Sequence, residues 1–96
     1  MARMAFYIIS YDLKVPGRDY TPLYSKIKAL GEWQHPLEST WVIKTETYDQ
    51  NQIYESLKEV LDSNDLLLIF KVFPDARQGW LAKSFWEWME TKSSIK

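Results

Sequence analysis

Two apolar runs, AFYIISYD at residues 5–12 and LLLIFKVF at 66–73, constrain this chain more than any other feature. Neither alternates apolar with polar, as a strand open to water on one side would. Each presents apolar side chains at consecutive positions, the pattern of a strand covered on both faces. Phe6 and Ile8 oppose Tyr7 and Ile9 in the first run, and Leu66 and Leu68 oppose Leu67 and Ile69 in the second. A chain of 96 residues builds one domain. Both runs therefore read as central strands that the same few elements must bury.

The intervening sequence supplies those elements. KVPGRDY, 14–20, holds Pro16 and Gly17 among charges and reads as an exposed loop. Thr21 and Pro22 suit an N-cap and first helical position, with Leu23, Ile27 and Leu30 along one face and Gly31 as the stop. Residues 31–47 contain two strands. One spans Trp33 to Leu37, where Pro36 demotes it to an edge or bulged strand, and a stronger one spans Thr40 to Glu46. Asp49 and Gln52 have capping-box spacing ahead of Ile53, Leu57, Val60 and Leu61, an amphipathic helix ended by Ser63, Asn64 and Asp65. The order β-α-β-β-α-β predicts an α+β, ferredoxin-like fold with a four-stranded antiparallel sheet over residues 4–73. After a loop from Pro74 to Gly79, a Trp-rich helix is expected at about 79–92, its Trp80, Leu81, Phe85, Trp86, Trp88 and Met89 spread over more than one stripe. Residues 1–96 read as a single domain without internal repeats.

This fold places its two helices on one sheet face, so two-faced strands leave the other face to be covered. The C-terminal helix, the sheet of a second chain, or both can do so. An apolar face of more than a few hundred Å² marks a partner site, and an ordinary homodimer covers roughly 800 Å² per subunit. A homodimer is therefore expected.

Composition removes several chemistries. Without cysteine there is no disulfide framework, no thiolate metal site and no cysteine nucleophile. His35 is the only histidine. Twelve basic against 13 acidic residues give a net charge of −1, without the basic excess of a dedicated nucleic-acid binder. No apolar run approaches a membrane span and the N-terminus is too short for a secretory leader, so a cytoplasmic protein with no membrane partner is expected.

Asp12, a carboxylate at the end of a core strand, is the leading candidate for chemistry. The plain alternative is a turn former or helix cap. A symmetric dimer can bring both copies of Asp12 to one site, where two carboxylates share a proton or a divalent cation. Mg²⁺ suits such an all-oxygen site, completed by water and substrate phosphate, and would support phosphodiester cleavage. Alternation puts Ser10 on the Asp12 face, as a neighbour of the site or as a satisfied strand serine. Lys14 and Arg18 are placed to contact phosphate, or are ordinary solvated loop cations. His35 reads as a solvent-facing or locally bonded histidine, and Trp80, Trp86 and Trp88 as packing residues rather than base-stacking ones.

FYIISYDL at 6–13, LESTWV at 37–42 and NDLLLIFKV at 64–72, in this order of elements, resemble the small CRISPR-associated Cas-two family and its VapD-like toxin relatives. The resemblance covers residues 4–73. It implies a ferredoxin-like homodimer associated with RNA, DNA or nucleotides, with Asp12 as metal ligand and catalytic residue of a Mg²⁺-dependent endonuclease or endoribonuclease. It also brings in Ser39, which matches a serine near the start of the third strand. The chain departs from the pattern in lacking an arginine-rich turn after the aspartate, and in having Ser-Thr-Trp where the family has Ser-Val-Phe. The alternative is a non-catalytic dimer that binds nucleotide or protein in a defence or toxin–antitoxin setting.

Overall fold

The computed structural model describes residues 4–73 and 75–93; Met1–Arg3, Pro74 and the last three residues, including the first position of the expected 74–79 loop, lie outside that description. The elements are β1 (Ala5–Asp12), α1 (Thr21–Lys28), β2 (Glu32–Leu37), β3 (Thr40–Thr45), α2 (Gln50–Lys58), β4 (Leu66–Val72) and α3 (Lys83–Ser93). All strand pairs are antiparallel, in the order β2-β3-β1-β4. The fold is ferredoxin-like α+β with a C-terminal helix, as the β-α-β-β-α-β pattern predicts.

One face of the sheet carries α1 and α2. Tyr7, Ile9 and Tyr11 of β1, with Trp41 and Ile43 of β3, pack there against Leu23 and Ile27 of α1 and Ile53 and Leu57 of α2. Ile9, Leu23, Ile27, Ile43, Ile53 and Leu57 are fully buried, each contributing about 2 kcal/mol of hydrophobic stabilisation. The capping box of α2 is present. Asp49 Oδ1 accepts the Gln52 backbone N–H at 2.9 Å, and Gln52 Oε1 accepts the Asp49 N–H at 2.9 Å. The helix ends at Lys58, earlier than its apolar pattern suggests; the Val60 and Leu61 N–H groups instead close tighter turns onto Leu57 and Lys58.

Three features differ from expectation. Gly31 is not a helix stop, since α1 ends at Lys28. It is required where the chain enters β2, because a Cβ there would collide with the Lys44 carbonyl. The C-terminal helix begins at Lys83, not Gly79. The preceding segment lies back on the helix, with Gly79 against the Trp86 ring and Arg77 bonded to Glu90 at 2.8 Å. Trp80, assigned by sequence to the helix, is 99% exposed in that segment.

The third difference is larger. β1 is a central strand, but β4 is an edge strand, paired only with β1. On the second sheet face α3 covers Phe6 and Val42 with Phe85 and Met89, supported by Ile8, Val72, Leu81, Trp86 and Trp88. Its cover stops there. Leu66, Leu68 and Phe70, on the same face of β4, remain 58%, 50% and 58% exposed. β4 is apolar on both faces without being buried on both within one chain.

Candidate functional site

The β1–β4 register fixes what surrounds Asp12. Asp12 lies opposite Leu66 and Ser10 opposite Leu68. These residues, with Tyr11 and Leu67, line a shallow depression of about 240 Å³ on the face that α3 leaves open. The Asp12 side chain is 61% exposed, and Lys14 Nζ lies 2.8 Å from its Oδ2. Ser10 Oγ is 3.2 Å from Thr40 Oγ1 across the sheet, so that hydroxyl has a partner in β3. Asp12, Ser10 and Lys14 therefore come together in an open, uncovered site.

Ser39 and Arg18 take other positions. Ser39 is exposed in the β2–β3 turn, and its carbonyl accepts the Tyr11 N–H at 3.1 Å. That bond extends β1–β3 pairing by one position and steadies the last residues of β1. Arg18 turns towards the segment between α2 and β4. It donates to the Val60 carbonyl at 3.2 Å, approaches Asp62 at 3.5 Å and lies over the Tyr20 ring. Its partners are thus distinct from those of Asp12.

Sequence reading treated Asp65 only as a helix breaker, yet it organises the loop beside the site. Its carboxylate accepts the Lys14 backbone N–H at 2.7 Å, the Tyr20 hydroxyl at 2.8 and 2.9 Å, and the Asp62 N–H at 2.8 Å. Burial alone would raise the carboxyl, but the Lys14 and Asp62 amides, the Tyr20 hydroxyl and the Arg18 charge outweigh it and hold Asp65 below the usual carboxylate range. Asp65 thereby fixes the residue whose ammonium meets Asp12. No signal in the sequence separates such a hub from an ordinary turn aspartate.

His35 belongs to an aromatic cluster at the opposite edge. Its ring stacks on Trp41 with centroids 3.8 Å apart at 11°, and its Nε2 donates to the Glu38 carbonyl at 3.0 Å. Trp41 Nε1 donates to the Tyr11 hydroxyl at 2.9 Å, and burial pushes the Tyr11 phenol up, keeping it protonated. Trp33 packs on Trp41 with Lys28 over its outer face. This cluster is a fastening for β2.

Among the described residues no three acidic or histidine side chains gather as a metal cage. Asp12 is a single carboxylate, a donor set that fits Mg²⁺ where water and a substrate phosphate supply the remaining oxygens. No helix among the described residues is long and apolar enough to cross a membrane. None of the family models, curated proteins or solved structures compared with the chain matches it.

Proposed function

We propose that the chain is a cytoplasmic homodimer of the Cas-two and VapD-like type that takes nucleic acid or nucleotide at Asp12 and cleaves phosphodiester bonds with Mg²⁺. The observation that carries this reading is the open depression at the end of β1, where an exposed carboxylate and an ammonium stand side by side and which, among the described residues, β1 and β4 alone line. Asp12 would hold the ion, which when bound supplies charge neutralisation and an activated water. Lys14 would place a positive charge next to the bound phosphate, and Ser10 would face the same depression. The Asp65 network holds Lys14 at the site.

One observation favours a second reading. Lys14 Nζ lies 2.8 Å from Asp12 Oδ2 and compensates its charge, which suits a non-catalytic nucleotide- or protein-binding dimer in which the pair is structural. A cleavage panel of RNA and DNA with and without Mg²⁺ separates the two. The nuclease reading expects Mg²⁺-dependent cleavage by the wild type, lost in Asp12→Ala at unchanged solution mass. If the wild type cuts nothing, or Asp12→Ala cuts as well, the catalytic assignment falls and the binding reading replaces it.

A further inference from the structure

The second sheet face is only half covered, and the uncovered half ends at a bare strand edge. β4 has no strand partner on its outer side among the described residues. Of the devices that blunt such an edge it carries only a single lysine, at position 71; it has no proline and no bulge. Both sides of the strand are hollow. The Asp12 depression flanks it on one face, and a cleft of about 510 Å³ between the end of α2 and the start of β4, with Tyr54, Lys58 and Leu61 in its wall, flanks it on the other.

We infer that β4 pairs edge to edge with β4 of a second copy, antiparallel and centred on Leu68. The inference rests on the homodimer reading above and specifies how the dimer is built. A two-fold axis relating antiparallel strands in one sheet stands perpendicular to that sheet and preserves its faces. One residue of β4 must then face its own copy. With Leu68 at the centre, Leu66 meets the partner's Phe70, and Leu67 meets the partner's Ile69 on the helix side. All three exposed apolar residues find apolar neighbours. At both ends the partner's Lys71 comes to the row of Asp65, just before β4; the Asp65 carboxylate stays bound in its own loop, so it offers the ammonium a nearby negative charge rather than a direct ion pair. Centring on Leu67 would set Lys71 against the partner's Ser63, and centring on Ile69 would set it against the partner's Leu67; both lose that nearby charge. Stacking the two sheets face to face is disfavoured because sheets pack about 10 Å apart, and α3 already occupies that layer over Phe6 and Val42.

The arrangement determines how many sites the dimer has. Asp12 lies in the row of Leu66 and the partner's Phe70, and its copy lies four residues along, with three strand spacings between the two β1 strands. Strand spacing and rise then separate the two Asp12 residues by about 20 Å. Each Asp12 works with its own Lys14 on one continuous eight-stranded face, and the two carboxylates share no ion.

The chain lacks cysteine, so a single introduced thiol can pair only with its own copy. Leu68→Cys should oxidise to a disulfide-linked dimer within the native fold, while Phe70→Cys, about 14 Å from its copy in this register, should not. Cross-linking at Phe70 but not at Leu68, or at neither, overturns the register. Solution mass separates failures: a wild type that remains at 11.4 kDa at micromolar concentration removes the dimer itself. A wild-type dimer that persists in Leu68→Lys keeps the dimer and overturns only the β4 interface.

Discussion

The two edges of the sheet are finished in different ways. β2 is blunted from several directions at once. Pro36 removes a backbone donor, the register with β3 breaks between Gln34 and Leu37, and Trp33 and His35 are drawn onto Trp41 of the neighbouring strand. β4 is regular, apolar on both faces and, among the described residues, without a strand partner on its outer side, with hollows above and below it. One sheet thus has one edge finished against a further strand and one that keeps the features the proposed β4 pairing would use. Aromatic residues are abundant in the chain, but those of β2 fasten that strand to its own sheet, whereas Phe70 of β4 faces outward. Where apolar side chains point decides whether they stabilise the monomer or an assembly.

Changes at each edge should show the difference. The largest effect is expected at the centre of β4. Leu68→Lys places two like charges face to face on the proposed axis and should convert the dimer to monomer in sedimentation, with unchanged secondary structure by circular dichroism. Leu37→Lys, an exposed leucine on β2, should leave the mass of the dimer unaltered. Next come the residues that anchor the start of each edge strand. Asp65→Ala leaves the partly buried Tyr20 hydroxyl without its acceptor and releases two backbone amides. It should cost about 2 kcal/mol in urea unfolding and loosen the loop that carries Lys14. Gly31→Ala drives a methyl group into the Lys44 carbonyl at the start of β2 and should cost about 1–3 kcal/mol without changing the oligomeric state.

The smallest effect is a pH dependence. Asp65 is held below its ordinary value in the folded state, so its contribution is fully present above the unfolded carboxylate value of about 4 and is lost as pH falls through the lower folded value. Stability measured from pH 6 downwards should therefore decline more steeply in the wild type than in Asp65→Asn. Equal slopes would remove Asp65 as the acid-sensitive anchor of the β4 end.

Much of the fold was legible in the sequence because local signals agreed with one another. Asp49 and Gln52 announce α2, Pro36 announces an edge strand, and the consecutive apolar residues of β1 announce a strand buried on both sides. The same rule misplaces β4. Two-faced apolarity does not say whether both faces are covered within the chain, so an edge strand with an exposed apolar face looks like a central one. Gly31 and Trp80 were misread for a related reason. Whether a glycine ends a helix or fits beneath a carbonyl, and whether a tryptophan packs or protrudes, depends on contacts between distant segments. At the site, Asp12 and Ser10 follow from alternation, but the pairing of Lys14 with Asp12, the diversion of Arg18 to the α2–β4 segment and the role of Asp65 all arise from loop geometry that no short pattern encodes.

The contrast between the two edges can be read directly from amide hydrogen exchange of the unmodified chain across a dilution series. Concentrated protein should protect the β4 amides, and protection should fade on dilution as copies separate, while the outer amides of β2 exchange quickly throughout. Exchange of β4 that is rapid and independent of concentration, or concentration-dependent protection that appears at β2 instead, would contradict the account.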